Sequence, residues 1–344
     1  MNVVTILNTI RANSSSLYQE RVPQATQDNL SDIGTVILNY EALQNEFIGA
    51  LVNKIAFTVV SNRRFKNPLA QLKKGGVPFG SGWEETHINP AKDKGKSTKE
   101  SEVSDLIGTE ESDVATIYHS MNRQGKYKVS VSYEKLQTAF KGVGEMTSFI
   151  QGVIDSMYSG DEIDEFLLMK NTLSSAIEND SMVTIEVEYD GKEESAKELI
   201  KAIKTVSHNF TEPSTAFNGY NLKMKAQIEA GTKKARITWT PKENQVILVR
   251  ADVDSSTDVE VLAKSFHMDK ADFMKRKFVV GSFGDEDTIA VLTDDKLFQW
   301  RDNVYTVRTF PNGNSLVDNY MLHHYQTLSL SLFANCVAFK TKTV

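Results

Sequence analysis

The feature that most constrains this chain is a stretch that cannot bury itself. From Asn89 to Ser112 the sequence runs through four lysines and six acidic residues, with Val103, Leu106 and Ile107 as its only sizeable apolar groups. Such a composition cannot offset the entropy lost on ordering. Long structureless loops are uncommon inside compact domains and usually project or carry function. Gly75, Gly76, Pro78, Gly80 and Gly82 punctuate the backbone ahead of it. Behind it, Tyr127, Val129, Val131 and Tyr133 alternate with polar residues, as in a half-buried strand. The pattern predicts a two-stranded flap with a charged tip, rooted in a glycine-rich turn.

On either side the chain has a different texture. Arg11 to Asn29 is dominated by Ser, Gln, Asn, Thr and Arg, and reads as an extended arm. The arm leads into a helix over Tyr40 to Phe57, striped by Leu43, Phe47, Ala50, Leu51 and Ile55. Met146, Phe149, Ile150, Val153, Ile154 and Met157 predict a helix over 145–158. A second helix is predicted from Ser159, with Glu162 completing a capping box. Its stripe is Ile163, Phe166, Leu167, Leu173 and Ile177, and it stops at Asn179-Asp180. Beyond it strands and helices alternate. Strands are predicted at 183–189, 236–240, 245–250, 288–293, 304–308 and 327–340. Helices are predicted after Ser195 and over Asp258 to Phe266. This is an α+β pattern without internal repeats.

With 344 residues, 40% hydrophobic and 24% charged, the chain can build a core without staples. Its single cysteine, Cys336, excludes an intrachain disulfide and reads as a buried hydrophobe within Leu332 to Phe339. That usage fits a reducing cytoplasm. No stretch approaches the ~20 apolar residues of a membrane span, so no membrane partner is expected. Met1 to Ile10 lacks the basic start and cleavage site of a signal peptide. The net charge of −6, with signs interspersed, argues against a protein that grips nucleic acid phosphates.

No motif carries chemistry. Gly95-Lys96-Ser97 lacks the preceding strand of a phosphate loop, and Pro90 stands where its first glycine belongs. Pro78 removes a donor from the Gly75–Gly82 run, which reads as a turn rather than an anion cradle. Asp252-Val253-Asp254 and Asp294-Asp295 follow strand-like runs, as carboxylates do in magnesium-dependent phosphohydrolases. Too few crossover helices separate them for that fold, and Thr257 occupies the turn position of a calcium loop. His87, His119, His208, His267, His323 and His324 show no zinc-ligand spacing. No Gly-x-Ser-x-Gly elbow is present. No catalytic, metal or cofactor-binding residue is therefore assigned.

The order of parts, together with Phe79-Gly-Ser-Gly-Trp83-Glu-Glu, Ser159-Gly-Asp-Glu-Ile163-Asp-Glu-Phe166, Phe210-Thr-Glu-Pro213-Ser-Thr-Ala-Phe217-Asn218 and Tyr325-Gln-Thr-Leu-Ser-Leu-Ser-Leu-Phe333-Ala-Asn, resembles major capsid proteins of small short-tailed (podovirus-type) bacteriophages. These have the Hong Kong 97 capsid fold. The resemblance implies an N-terminal arm and helix (1–60), an extended loop (61–133), a peripheral domain with a spine helix (134–185), an axial domain (186–310) and a return strand (311–344). It also implies hexamers and pentamers closing an icosahedral head around packaged double-stranded DNA. A scaffolding protein and a portal protein would assist assembly in the host cytoplasm, without a cofactor. Some relatives crosslink a loop lysine to a neighbour; Lys92, Lys94, Lys96 and Lys99 are present, but no motif selects one and no crosslink is expected. Two alternatives remain at this level: the shell of an encapsulin-like nanocompartment, distinguished by enzyme cargo, and a magnesium-dependent phosphohydrolase using Asp252 and Asp254.

Overall fold

The computed structural model describes residues 3–40, 65–78, 82–91, 112–132, 143–256, 276–312 and 317–342, with 42–43, 46–47, 50 and 80. The flap tip over 92–111, its four lysines, Gly95-Lys96-Ser97 and the helix predicted from Asp258 lie outside the described residues.

The arm is helical rather than extended. It forms α1 (Val3–Ala12), α2 (Ser16–Arg21) and α3 (Leu30–Leu38). Ser15 caps α2, its hydroxyl accepting from the Tyr18 amide at 3.3 Å. Its few apolar residues, Leu7, Ile10, Tyr18, Val22, Ile33 and Ile37, join Leu43 and Phe47 in one buried cluster. Met157 and Tyr158 of the spine and Tyr320 and Leu322 of a long hairpin complete it. Within Arg11 to Asn29 the polar composition masked Tyr18 and Val22, because a short helix needs only one or two such anchors.

The two helices predicted around Ser159 are one. The spine, α4 (Val143–Glu178), runs for 36 residues, about 54 Å, straight through the expected capping box. Its inward face carries Asp161, Glu162 and Glu165, then Met169, Leu173 and Ile177. Ile163 and Leu167, expected in the core, are 44% and 45% exposed, and Leu168 beside them is 38% exposed. Phe166 is half-buried, edge-on to Phe65 at 5.8 Å with the Lys170 ammonium 5.0 Å from its ring.

Three sheets complete the subunit. β1 (Trp83–Ile88) and β2 (Val114–His119) pair antiparallel from Trp83↔His119 to Ile88↔Val114 as a two-stranded flap, whereas the alternating run from Tyr127, read as its returning strand, lies in a different sheet. β3 (Arg123–Ser132), β8 (Phe298–Asn312) and β9 (Val317–Leu330) form an antiparallel sheet in the order β3-β9-β8. β4 (Val183–Val187), β5 (Gln245–Arg250), β6 (Lys277–Val280), β7 (Thr288–Asp294) and β10 (Cys336–Thr341) form a mixed sheet in the order β4-β10-β7-β5-β6. The single strand predicted over 327–340 is thus two strands in different sheets. Residues 236–240 form no strand, only a bridge from Thr238 to Ser214.

The mixed sheet is buried on both faces, following the two-residue period of strands. Val246, Leu248, Val291, Cys336 and Ala338 pack with Leu173, Phe298 and Trp300 on one side. Ile247, Val249, Leu292, Val337 and Phe339 pack against Leu199, Ile203, Val206 and Phe210 of α5 (Glu193–Phe210) on the other. Ser195 does not cap α5; Lys192 occupies that position, and the Ser195 hydroxyl bonds Asp190 at 2.6 Å. After α5, Asn218 caps α6 (Gly219–Lys223), followed by α7 (Lys225–Glu229). A β-carbon on Gly219 would run into the Ser181 carbonyl. Gly219→Ala is therefore expected to destabilise the subunit by about 1–3 kcal/mol, read as a lower melting temperature.

Candidate functional site

The four sequence stretches that carry the resemblance converge where flap, spine and long strands meet. Trp83 of β1 stacks on His119 of β2, with ring centroids 5.3 Å apart, and the Arg301 guanidinium carbon lies 4.9 Å from the Trp83 ring centroid. Gly82 is required just before it, since a β-carbon there would stand 2.9 Å from the His119 carbonyl oxygen. Glu85 joins two strands: it accepts from the Ser331 hydroxyl at 2.7 Å and from His119 Nε2 at 3.0 Å. His119 Nδ1 meets the Ser329 hydroxyl at 2.8 Å. Serine, histidine and glutamate here follow the order of a hydrolytic relay, but each belongs to a different strand and together they staple the flap to β9. His87 stacks on Phe333 at 5.3 Å. Its burial and the nearby Arg236 charge lower its basicity.

The flap is held at a second point. Asn89 accepts from the Ile237 amide at 3.0 Å and donates to the Ala235 carbonyl and the Asp113 carboxylate, at 2.8 and 2.7 Å. Arg236 pairs with Asp113 at 2.6 Å. The carbonyl of Arg236 accepts from Asn218, which also reaches the Thr238 hydroxyl. Thr238 in turn bonds Asn335 at 2.5 Å. Phe217-Asn218 and Phe333-Ala-Asn335, 117 residues apart by number, are thereby neighbours through the Asn218↔Asn335 bridge.

Beneath the flap lies a buried ionic network on the spine. Asp161 accepts from Arg123 at 2.9 Å and from His324 Nδ1 at 2.7 Å. His324 Nε2 reaches Asp302 at 3.1 Å. The Lys73 ammonium bridges Glu165 and Asp302 at 2.7 and 2.9 Å. Asn67 donates to Glu165 at 2.7 Å, and Gln326 joins Glu165 to Asp302 and Arg123. Every spine carboxylate in the network meets partners supplied by β3, β8, β9 or residues 67–73. Glu165, Asp302 and His324 have the mutual spacing of metal ligands. Lys73 already sits between the two carboxylates, so the cluster holds its own cation.

Burial opposes charge on Glu165, yet Lys73 outweighs it and keeps that carboxyl below its usual range. Asp302 is likewise held down against burial by His324 and Lys73. Burial disfavours the His324 cation, but Asp161 and Asp302 outweigh it and raise its pKa. A raised histidine stabilises the fold below its unfolded value of about 6.5, and that contribution disappears as pH rises through the folded value. The depressed carboxylates stabilise above about pH 4.5 and lose their contribution on further acidification. The melting-temperature gap between wild type and His324→Asn is therefore expected to be larger at pH 5.5 than at pH 8.5. Equal gaps at both values would refute a charged His324 in the network.

The proposed phosphohydrolase residues do not assemble. Asp252, in the first turn of α8 (Ala251–Ser256), is clamped by Arg250 at 2.7 and 2.8 Å. Asp254 pairs with Lys277. Asp294 is buried against Thr240 at 2.7 Å, and burial raises its pKa.

The model of the Phi29-like phage major capsid protein family matches residues 7–340. The chain belongs to that family. Among its capsid relatives, the major capsid protein of Bacillus phage PZA is 31% identical over 335 residues, spanning 97% of this chain and 72% of that protein. That of Streptococcus phage Cp-1 is 26% identical over 353 residues, spanning 96% and 92%. The capsid structure of Staphylococcus phage Andhra superposes with a TM-score of 0.64 at 15% identity, covering 81% of this chain and 85% of that one. The fold is therefore the Hong Kong 97 capsid fold, and this capsid subunit is a structural component of the virion, not an enzyme. Both alternatives, the nanocompartment shell and the phosphohydrolase, give way to that assignment.

Proposed function

We propose that this capsid subunit forms hexamers and pentamers that close into an icosahedral head around double-stranded DNA. Scaffolding protein and portal protein direct assembly in the host cytoplasm. The arm (1–60), extended loop (61–133), peripheral domain (134–185), axial domain (186–310) and return strand (311–344) are its working parts. No residue serves as a catalytic, metal or cofactor site.

The observation that carries this reading is the flap. It is pinned at both ends of its paired strands, by Glu85 with His119 and by Asn89 with Asp113, while the chain between 91 and 112 has almost no apolar side chains to bury. The exposed Ile163, Leu167 and Leu168 on the spine are the kind of apolar surface that repeated contacts between copies would cover. Expression with and without scaffold, followed by light scattering and electron microscopy, is the test. Closed shells are expected with scaffold; a compact monomer under all conditions would overturn the reading.

A further inference from the structure

One cation beside the flap root stands without an anion. The Arg301 guanidinium rests near the Trp83 ring, and among the described residues no carboxylate pairs with it. Its Nε is removed from water and has no acceptor. Arginine keeps its charge at every working pH and carries five N–H donors, so an aromatic neighbour satisfies only part of it. Two neutral donors beside it are in the same state. The indole N–H of Trp83 is covered and has no partner. Thr327, opposite Arg301 in the register of β8 and β9, donates to Asn303 Oδ1 at 3.0 Å and leaves Asn303 Nδ2 covered and unpartnered. Arg301, Trp83 and Asn303 are all half-buried rather than sealed in the core. Covered donors without an acceptor are rare in folded proteins.

The carboxylates nearest in the chain are engaged elsewhere. Asp302, next to Arg301 in β8, lies on the other face of the sheet, where it meets His324 and Lys73. Glu85, two residues from Trp83, accepts from Ser331 and His119. A second copy of the chain can supply the acceptor. Each copy carries 45 acidic residues against 39 lysines and arginines, so it brings surplus carboxylates. The donors also lie at the base of the flap, the element read above as reaching between copies. The planar fork of arginine matches a carboxylate with two parallel hydrogen bonds.

We propose that Arg301, with the indole N–H of Trp83 and the side-chain amide of Asn303, receives an aspartate or glutamate side chain from a second copy of this chain on assembly. The proposal rests on the reading of the chain as a shell subunit and names a contact that such a shell would contain.

Labelling of the wild-type chain with an arginine-selective dicarbonyl, followed by peptide mapping, reads the site without a variant. Arg301 is expected to react several-fold more slowly in closed shells than in the unassembled subunit, whether the shells are empty or hold DNA. Carbodiimide treatment of shells built from mixed light and heavy Arg301→Lys subunits should join position 301 to an Asp or Glu of the other isotope. Arg301→Gln should keep the wild-type circular dichroism and need a several-fold higher subunit concentration to close shells. Equal reactivity of Arg301 in shell and free subunit would overturn the proposal. So would crosslinks from position 301 that stay within one chain, or closure of Arg301→Gln shells at the wild-type concentration. Protection confined to DNA-filled shells would overturn it in favour of a phosphate. Should Arg301→Lys shells fail to close, the wild-type labelling decides. If wild-type chains closed no shells, the shell reading would fall and the proposal with it; shells that form with Arg301 still reactive overturn the proposal alone.

Discussion

Asp161→Ala is expected to cost the unassembled subunit about 3–5 kcal/mol, the range for removing one partner from a buried ion pair. The Asp161 side chain is 2% exposed and accepts from both Arg123 and His324, which are themselves buried. Its loss leaves the Arg123 guanidinium and His324 without that carboxylate, in a place water does not reach. Asp161→Asn keeps the shape and one acceptor, so its cost should be smaller. Urea unfolding followed by the fluorescence of the buried Trp300 measures both. A cost below about 1 kcal/mol for the alanine variant would show that the network contributes little to holding the spine.

The second large effect is on assembly rather than folding. Replacing residues 92–111 with a short turn should leave subunit stability within about 1 kcal/mol of wild type, because few apolar groups are removed. The pair Asn89 and Asp113, bonded through side chains and backbone, remains to close the hairpin. Electron microscopy of the same variant, co-expressed with scaffold, should show few or no closed particles. A deletion that unfolds the subunit, or one that assembles normally, would refute the assignment of this segment to contacts between copies. Phe166→Ala, by contrast, should cost less than the ~3–5 kcal/mol of a fully buried phenylalanine, since its ring is only half-buried.

Some of this architecture can be read directly from the chain. Val183 to Val187, Gln245 to Arg250 and Thr288 to Asp294 announce strands through β-branched runs, and the flap follows from what 89–112 cannot bury. The spine misleads because its inner face is acidic between Asp161 and Glu165. The groups that make those acids tolerable, Arg123, Lys73 and His324, lie far away in sequence, so local periodicity favours the outward face of Ile163 and Leu167. Ser159 followed by Glu162 imitates a helix start, yet Glu162 is turned inward toward the Asn67 amide at 3.3 Å. The polar linkage of Asn218, Thr238 and Asn335 has no local signature either.

Cys336, the chain's one thiol, lies 1% exposed in β10, second from an edge of the mixed sheet, and burial pushes its pKa far up. A thiol so placed is silent to labelling reagents until the sheet comes apart. It is therefore a native stopwatch for opening of this sheet, needing no engineered probe. In a particle built from many copies, the fraction of labelled chains would count how many subunits have opened, and the labelling rate would compare the unassembled and assembled forms of the same chain.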